Sequence, residues 1–137
     1  CKMERHLLGK YDFIVYTMNE KQKEYPIKNR LFIDTEPFRK CWKAMGLDDD
    51  NLKEMKTVLL QDPQCGDVIQ GTGGARKIRI QFNDNKGKSG GGRVIDVDIF
   101  EKERIYLLFA YPKNVQENLT PEQKKAISQV IEAIKKE

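Results

Sequence analysis

The chain has 137 residues, of which 39% are hydrophobic, and this suffices for one compact domain but not for two. Its formal net charge is only +4, yet residues 71–93 hold six basic residues and one acidic residue, so the positive charge is local. Three cysteines without CxxC spacing exclude a disulfide scaffold and a zinc-finger site, and the absence of a long apolar run excludes a membrane-spanning helix, so we expect a cytoplasmic protein.

The first 28 residues are treated as an extension of uncertain origin, because the chain opens on Cys1 rather than on methionine. Within them, "YDFIVY" (residues 11–16) has the β-branched and aromatic content of a strand. The polar stretch that follows, "NEKQKEYPIKN", is typical of a linker. We therefore place a single domain at residues 29–137.

The domain is predicted to begin with a short strand, "LFID", and a helix of about three turns. Asp34 or Thr35 is the expected N-cap, Pro37 lies in the first turn, and Gly46 ends the helix. One face carries the apolar residues Phe38, Cys41, Trp42 and Met45 at helical spacing. We therefore expect Trp42 to be a core residue rather than a platform for base stacking.

A second helix is predicted after the acidic triplet of residues 48–50 and ends at Asp62-Pro63. Its expected buried stripe is Leu52, Met55, Val58 and Leu59. The triplet has no partner carboxylate or histidine at ligand spacing, so it is interpreted as a helix cap rather than as a metal site.

Three strands and a final helix complete the predicted order. In "ARKIRIQF", Ile78 and Ile80 face one side and Lys77 and Arg79 the other. A glycine-rich loop, "RVIDVDIF" and "IYLLFAY" follow as an antiparallel meander, with the last strand placed inside the sheet. The last helix has Thr120 as N-cap in a capping box, and its expected buried residues are Ile127, Val130, Ile131 and Ile134. The fold class is α+β, with helices packed on one face of a twisted antiparallel sheet.

The glycine-rich loop is not a nucleotide-binding motif. Gly87-Lys88-Ser89 matches the end of a P-loop, but Phe82 stands where its leading glycine belongs, and a strand follows instead of a helix. The stretch "GTGGAR" lacks the third glycine of GxGxxG. We expect no cofactor and no metal.

Four cations on neighbouring strands are expected to converge on one surface, namely Lys77, Arg79, Arg93 and Lys113. Their mutual repulsion contributes nothing to a folded core, so the pattern indicates a polyanionic partner such as RNA. The only histidine, His6, lies in the extension, so a two-histidine hydrolysis is excluded. Clustered cations can instead stabilise the extra negative charge of a phosphorane-like transition state.

The stretches "CGDVIQGTGGARKIRI", "NKGKSGGGRVI" and "IYLLFAYPKNVQENLTPEQ" together resemble the RelE/HigB superfamily of toxins from type II toxin–antitoxin systems, closest to its HigB-like branch. The resemblance implies a metal-independent mRNA endoribonuclease of the ribosomal A site, in which the 2′-hydroxyl attacks the adjacent phosphate. It also implies a helix-turn-helix antitoxin that covers the active surface, and contact with operator DNA only through that complex.

Carried over position by position, the resemblance implies that the catalytic residues are Lys77, Arg79, Arg93 and Lys113. The residues expected to contact RNA are Arg76, Lys86, Lys88, Tyr111 and Asn114, with Tyr111 either stacking on a base or lying in the core.

Two acids depart from the family pattern. Asp96 and Asp98 stand where tyrosines are usual, share a face by strand parity, and are expected to pair with Lys77 or Arg79. Two alternatives therefore stay open: a ParE-like inhibitor of DNA gyrase with the same fold, and a catalytically degenerate module that only binds its antitoxin.

Overall fold

The computed structural model describes residues 30–81 and 91–137, together with the backbone of two strands that precede them. The elements in chain order are β1 Lys2–Leu8, β2 Tyr11–Thr17, β3 Leu31–Asp34, α1 Glu36–Ala44, α2 Asp49–Gln61, β4 Asp67–Val68, β5 Arg76–Ile80, β6 Gly92–Ile99, β7 Arg104–Pro112 and α3 Pro121–Lys136. The strand predicted at residues 11–16 is present as β2, whereas the expected linker lies outside the described residues.

The main sheet has five strands in the order β3-β7-β6-β5-β4, and β1 and β2 form a separate antiparallel pair. The predicted meander of β5, β6 and β7 is confirmed, and β7 lies inside the sheet with a neighbour on each side. The pairing of β3 with β7 is parallel, which the sequence did not indicate. The α+β class is confirmed, with one parallel pair added to an antiparallel sheet.

Each helix starts at the residue whose side chain can satisfy a free backbone N–H. The Thr35 hydroxyl accepts from the Phe38 N–H, and the Asp48 carboxylate accepts from the Asn51 N–H. Thr120 and Gln123 form the predicted capping box at α3. Gly46, with φ of 77°, follows α1 in the left-handed region that favours glycine. Within the described residues, no helix is long and apolar enough to cross a membrane.

The sheet is covered on both faces, which corrects the prediction that all helices pack on one face. On one face α1 and α2 pack Phe38, Trp42 and Met55 against the sheet, so the prediction of a buried Trp42 is confirmed. On the other face α3 packs Ile127, Ile131 and Ile134. Both faces of the central strands are therefore buried, which removes apolar surface from water on each side.

Two valines predicted in buried stripes are exposed. Val58 of α2 is 50% exposed and Val130 of α3 is 45% exposed, while Leu60 is fully buried instead of Val58. Each helix packs on the sheet along a narrow apolar stripe, so an apolar residue at the margin of that stripe stays in contact with solvent.

Candidate functional site

Cations of two adjacent strands lie side by side on the face of the sheet that α3 covers. Arg79 pairs with Arg93 in the β5–β6 register, and Arg93 pairs with Tyr111 in the β6–β7 register. Lys77 lies two residues from Arg79 and therefore shares its face. We call Lys77, Arg79 and Arg93 the cation site, and the structure brings these three predicted residues together.

Arg93 is the buried member of the cation site, with 4% of its surface exposed. Its Nη1 donates to the Gly92 carbonyl at 3.1 Å, and its Nη2 lies 3.0 Å from both carboxylate oxygens of Glu117. Among the residues that the structure describes, its buried Nε has no hydrogen-bond acceptor. The guanidinium is thus fixed in place, and one of its donors is not used by the protein.

Residues 113–119, here called the return segment, connect β7 to α3 and lie over the cation site. The Lys77 amine donates to the Asn118 Oδ1 at 2.9 Å and to the Glu117 carbonyl at 3.4 Å. The Tyr111 hydroxyl donates to the same carbonyl at 3.2 Å. The backbone of Glu117 is therefore held by two strands while its carboxylate reaches a third.

Glu117 is the one carboxylate on the cation site among the described residues, and the sequence reasoning missed it. Its pKa is lowered first by the hydrogen bond from Arg93, which outweighs the opposing effect of desolvation, and further by the nearby charges of Arg93, Lys77 and Arg79. One negative charge faces three positive charges, so the site keeps an excess of positive charge. The signal in the sequence was the connection from β7 to α3. It has to pass over the end of the sheet, so it could bring an acidic side chain onto the cations.

Tyr111 lies in the core rather than on the surface. Its exposed fraction is 3%, its ring is 5.7 Å from that of Phe109, and burial raises the pKa of its hydroxyl, with Arg93 opposing and Glu117 adding to that rise. The structure therefore agrees with the interpretation of Tyr111 as a core residue. Its ring is not exposed, so it is not available to stack on an RNA base.

Arg76 does not join the cation site, which corrects its grouping with the RNA-contacting residues. It is adjacent to Lys77 in β5 and so points to the opposite face, where its Nη1 donates to the carbonyls of Gln64 at 3.2 Å and Gly66 at 2.8 Å. Those bonds hold the chain between α2 and β5. Arg76 is therefore assigned to the support of that connection.

The remaining predicted site residues lie at the rim or outside the described residues. Lys113 and Asn114 are exposed in the turn after β7, and the Lys113 N–H donates to the Gly91 carbonyl at 3.1 Å. This bond places the start of the return segment beside the strand that carries Arg93. Lys86 and Lys88 fall in residues 82–90, which lie outside the described residues.

Asp96 and Asp98 share a face, as predicted, but it is not the face of the cation site, which corrects their expected pairing with Lys77 or Arg79. Asp98 accepts from the Arg30 Nε at 2.7 Å. Asp96 is fully buried, and its two oxygens have no hydrogen-bond donor among the described residues. Burial, with the nearby Asp98 charge, raises its pKa to about 8, against smaller lowering effects of Arg76 and of the backbone N–H of Asp96 itself. Neither acid neutralises the cation site.

An open cleft of about 440 Å³ runs beside β5, where the short strand β4 ends. Lys77, Arg79 and Gln81 line it from the sheet, and Glu54 and Val58 line it from α2. The cations of β5 therefore border solvent at the sheet edge as well as on the face beneath the return segment. In the described ranges, no group of three histidine, cysteine or acidic side chains is placed to hold a metal ion.

Comparison with known proteins gives one family match. The sequence model of a family described as the RelE toxin of the RelE/RelB toxin–antitoxin system matches residues 29–136, which is most of the chain. A solved structure of a mutant of E. coli toxin RelE in the free state is 19% identical, with a TM-score of 0.48, over 66% of this chain and 90% of that chain.

Proposed function

The chain belongs to the RelE toxin family, and from that premise we propose that it is a toxin that stops translation by cleaving mRNA in the ribosomal A site. The single observation that carries this proposal is the convergence of Lys77, Arg79 and Arg93 around one carboxylate. The proposed partner that silences it is an antitoxin of the helix-turn-helix class, which reaches operator DNA only as part of the complex.

The charge of the cation site is what suits it to RNA. Three cations and one carboxylate leave an excess of positive charge on the cation site, and a phosphodiester supplies the missing negative charge. Arg93 is buried and fixed, so it can bind a phosphate oxygen without first losing conformational freedom. Preorganised donors of this kind stabilise charge that develops in a transition state.

The proposed reaction uses the nucleophile that RNA itself provides. The ribose 2′-hydroxyl attacks the adjacent phosphorus, the bond from phosphorus to the 5′-oxygen breaks, and a 2′,3′-cyclic phosphate remains on the upstream fragment. Arg79 and Arg93 stabilise the extra charge on the non-bridging oxygens of the phosphorane-like transition state, and Lys77 lies beside them. No metal ion takes part in this scheme.

The rim residues are proposed to contact RNA backbone rather than the reacting phosphate, and this includes Lys113, which the family resemblance places among the catalytic residues. Lys113 and Asn114 are exposed at the start of the return segment, where they can reach a neighbouring phosphate. Lys86 and Lys88 are assigned the same role from the sequence alone. Such contacts add affinity that falls with rising salt and carry no sequence preference.

A reconstituted translation system tests the proposal. Purified protein is added to ribosomes translating a defined message, and the 5′ ends of the mRNA fragments are mapped. We expect breaks within codons of the translated region and none in untranslated message, since the ribosome positions the substrate. Intact message at concentrations that arrest growth would reject the proposal, and DNA breaks with translation unharmed would instead favour the gyrase inhibitor.

A further inference from the structure

The proposed reaction needs a group that takes the proton from the 2′-hydroxyl, and three side chains on the cation-site face are the candidates: Lys77, Tyr111 and Glu117. His6, the only histidine of the chain, lies in β1 and not in the strands that carry the cations. The choice among the three follows from the bonds that each one makes.

Tyr111 and Lys77 both act as hydrogen-bond donors in the structure. The Tyr111 hydroxyl donates to the Glu117 carbonyl and is 3% exposed, so it neither carries a negative charge nor reaches solvent. The Lys77 amine donates to the Asn118 Oδ1 and the Glu117 carbonyl. Both contacts are made by Lys77 as a donor, so its position suits a group that supplies a proton rather than one that takes it.

Glu117 is the last of the three candidates, and its exposure and contacts suit a group that takes up a proton. Its side chain is 46% exposed, so an incoming ribose can reach it, and its backbone carbonyl is held by Tyr111 and Lys77. The ionised form of a carboxyl group is the one that can take up a proton, and the surrounding cations favour that form.

We propose that Glu117 is the general base of the reaction and that Arg93 controls it, an inference that rests on the proposed ribonuclease function. In the free protein Arg93 Nη2 is engaged with both oxygens of the Glu117 carboxylate at 3.0 Å. A substrate phosphate competes for the same guanidinium. When the phosphate binds Arg93, the carboxylate is released beside the ribose on which it acts.

This competition explains how a carboxylate of low basicity can serve as a base. The charged groups that face Glu117 are Lys77 and Arg79 from β5 and Arg93 from β6, and the Tyr111 hydroxyl faces it from β7. Loss of the Arg93 hydrogen bond removes the largest influence that lowers the Glu117 pKa, and the negative phosphate offsets the other two cations. The carboxylate therefore gains basicity only when substrate is bound.

The proton transfers balance within the site. The 2′-hydroxyl proton moves to a Glu117 carboxylate oxygen as the 2′-oxygen forms its bond to phosphorus. The bond from phosphorus to the 5′-oxygen breaks, and the leaving oxygen takes a proton from the Lys77 ammonium. Water then returns the proton that Lys77 lost and removes the one that Glu117 gained.

The test compares Glu117→Gln with wild type in single-turnover cleavage of ribosome-bound mRNA at saturating protein. We expect the cleavage rate to fall about 100-fold to 10,000-fold. Binding to the same complex carrying a 2′-deoxy nucleotide at the cleavage position should be unchanged or tighter, since the variant no longer presents a carboxylate to Arg93. Glu101→Gln, an exposed glutamate at the opposite end of β6 from Arg93, is the matched control.

Two further readouts separate a base from a residue with a structural role. The wild-type rate should fall at acid pH as Glu117 is protonated, and this acid limb should be absent in Glu117→Gln. Glu117→Asp should keep part of the activity. If Glu117→Gln cleaves as fast as wild type or faster, Glu117 only shields Arg93 and the inference is overturned. If wild-type protein itself leaves the message intact, the proposed function fails instead.

Discussion

The Glu117 carboxylate lies across the Arg93 guanidinium, with Nη2 3.0 Å from both carboxylate oxygens, although the two residues are 24 positions apart in the chain. The contact joins the first residues of β6 to the return segment just before α3. It places the one acidic residue of this segment on the most buried of the three cations. The same two residues therefore determine both the charge of the free site and its response to a phosphate.

Arg93→Lys should preserve the charge of the cation site but lose the planar arrangement of donors that the guanidinium provides. An ammonium cannot hold two oxygens in the plane of a guanidinium, so we expect cleavage of ribosome-bound mRNA to fall roughly 10-fold to 100-fold. The control is Lys40→Arg, the reverse exchange at a residue of α1 that is 76% exposed. Equal rates for Arg93→Lys and wild type would show that only the charge matters.

Asp96→Asn should change how stability depends on pH. The folded-state pKa of Asp96 is about 8 and its ordinary value is 3.8, so between these values the folded protein keeps a proton that the unfolded chain has lost. The free energy of unfolding should therefore fall as pH rises through this window, by up to about 1.4 kcal/mol per pH unit. Asparagine carries no titratable proton, so this contribution should vanish in the variant.

Urea denaturation at pH 5, 7 and 9 measures this effect. The difference in the free energy of unfolding between Asp96→Asn and wild type should favour the variant more at pH 9 than at pH 5. Asp67→Asn, at an exposed position of β4, should follow wild type at each pH. Parallel pH curves for wild type and Asp96→Asn would show that Asp96 is ionised in the folded protein.

Thr120→Ala should remove the N-cap of α3. The Thr120 hydroxyl accepts from the Gln123 N–H at 3.1 Å, and its loss should lower the free energy of unfolding by about 1 kcal/mol. Thr57→Ala is the control, because Thr57 lies inside α2 and its hydroxyl only returns a bond to the Lys53 carbonyl. The measurement is the urea midpoint of each variant, and an equal shift for both would argue against a specific capping effect.

Gly91→Ala tests the entrance to β6. Gly91 has φ of 64°, and a Cβ there would overlap the Ile80 carbonyl oxygen. Gly46→Ala is the matched comparison, since Gly46 has φ of 77° but open space around it, so it should lose only about 1 kcal/mol. We expect a clearly larger loss for Gly91→Ala in urea denaturation. Equal losses would mean that the neighbouring strand moves aside.

Local features of the fold were predictable from the sequence because neighbouring residues determine them. The caps at Thr35, Asp48 and Thr120 follow from side chains that reach backbone N–H groups three residues away. The alternation in β5 likewise separates Ile78 from Lys77 by strand geometry alone. The same alternation places Arg76 on the face opposite to Lys77, which the family resemblance alone does not indicate.

Long-range features were not predictable, because they depend on how the chain returns to the sheet. No pattern within α3 says which face of the sheet it covers, and its apolar stripe is compatible with either. The contact of Glu117 with Arg93 exists only because α3 starts on the face that carries the cation site. The burial of Asp96 is similarly a property of tertiary packing, which strand parity does not reveal.

Lys77 and Arg79 are proposed to act on a phosphodiester from one side of the sheet. The most direct measurement is the single-turnover cleavage rate of ribosome-bound mRNA by Lys77→Ala and Arg79→Ala, with Lys40→Ala removing the same charge from the opposite face. We expect losses of about 100-fold or more for the first two variants and a near wild-type rate for Lys40→Ala. Equal rates for all three variants would contradict it.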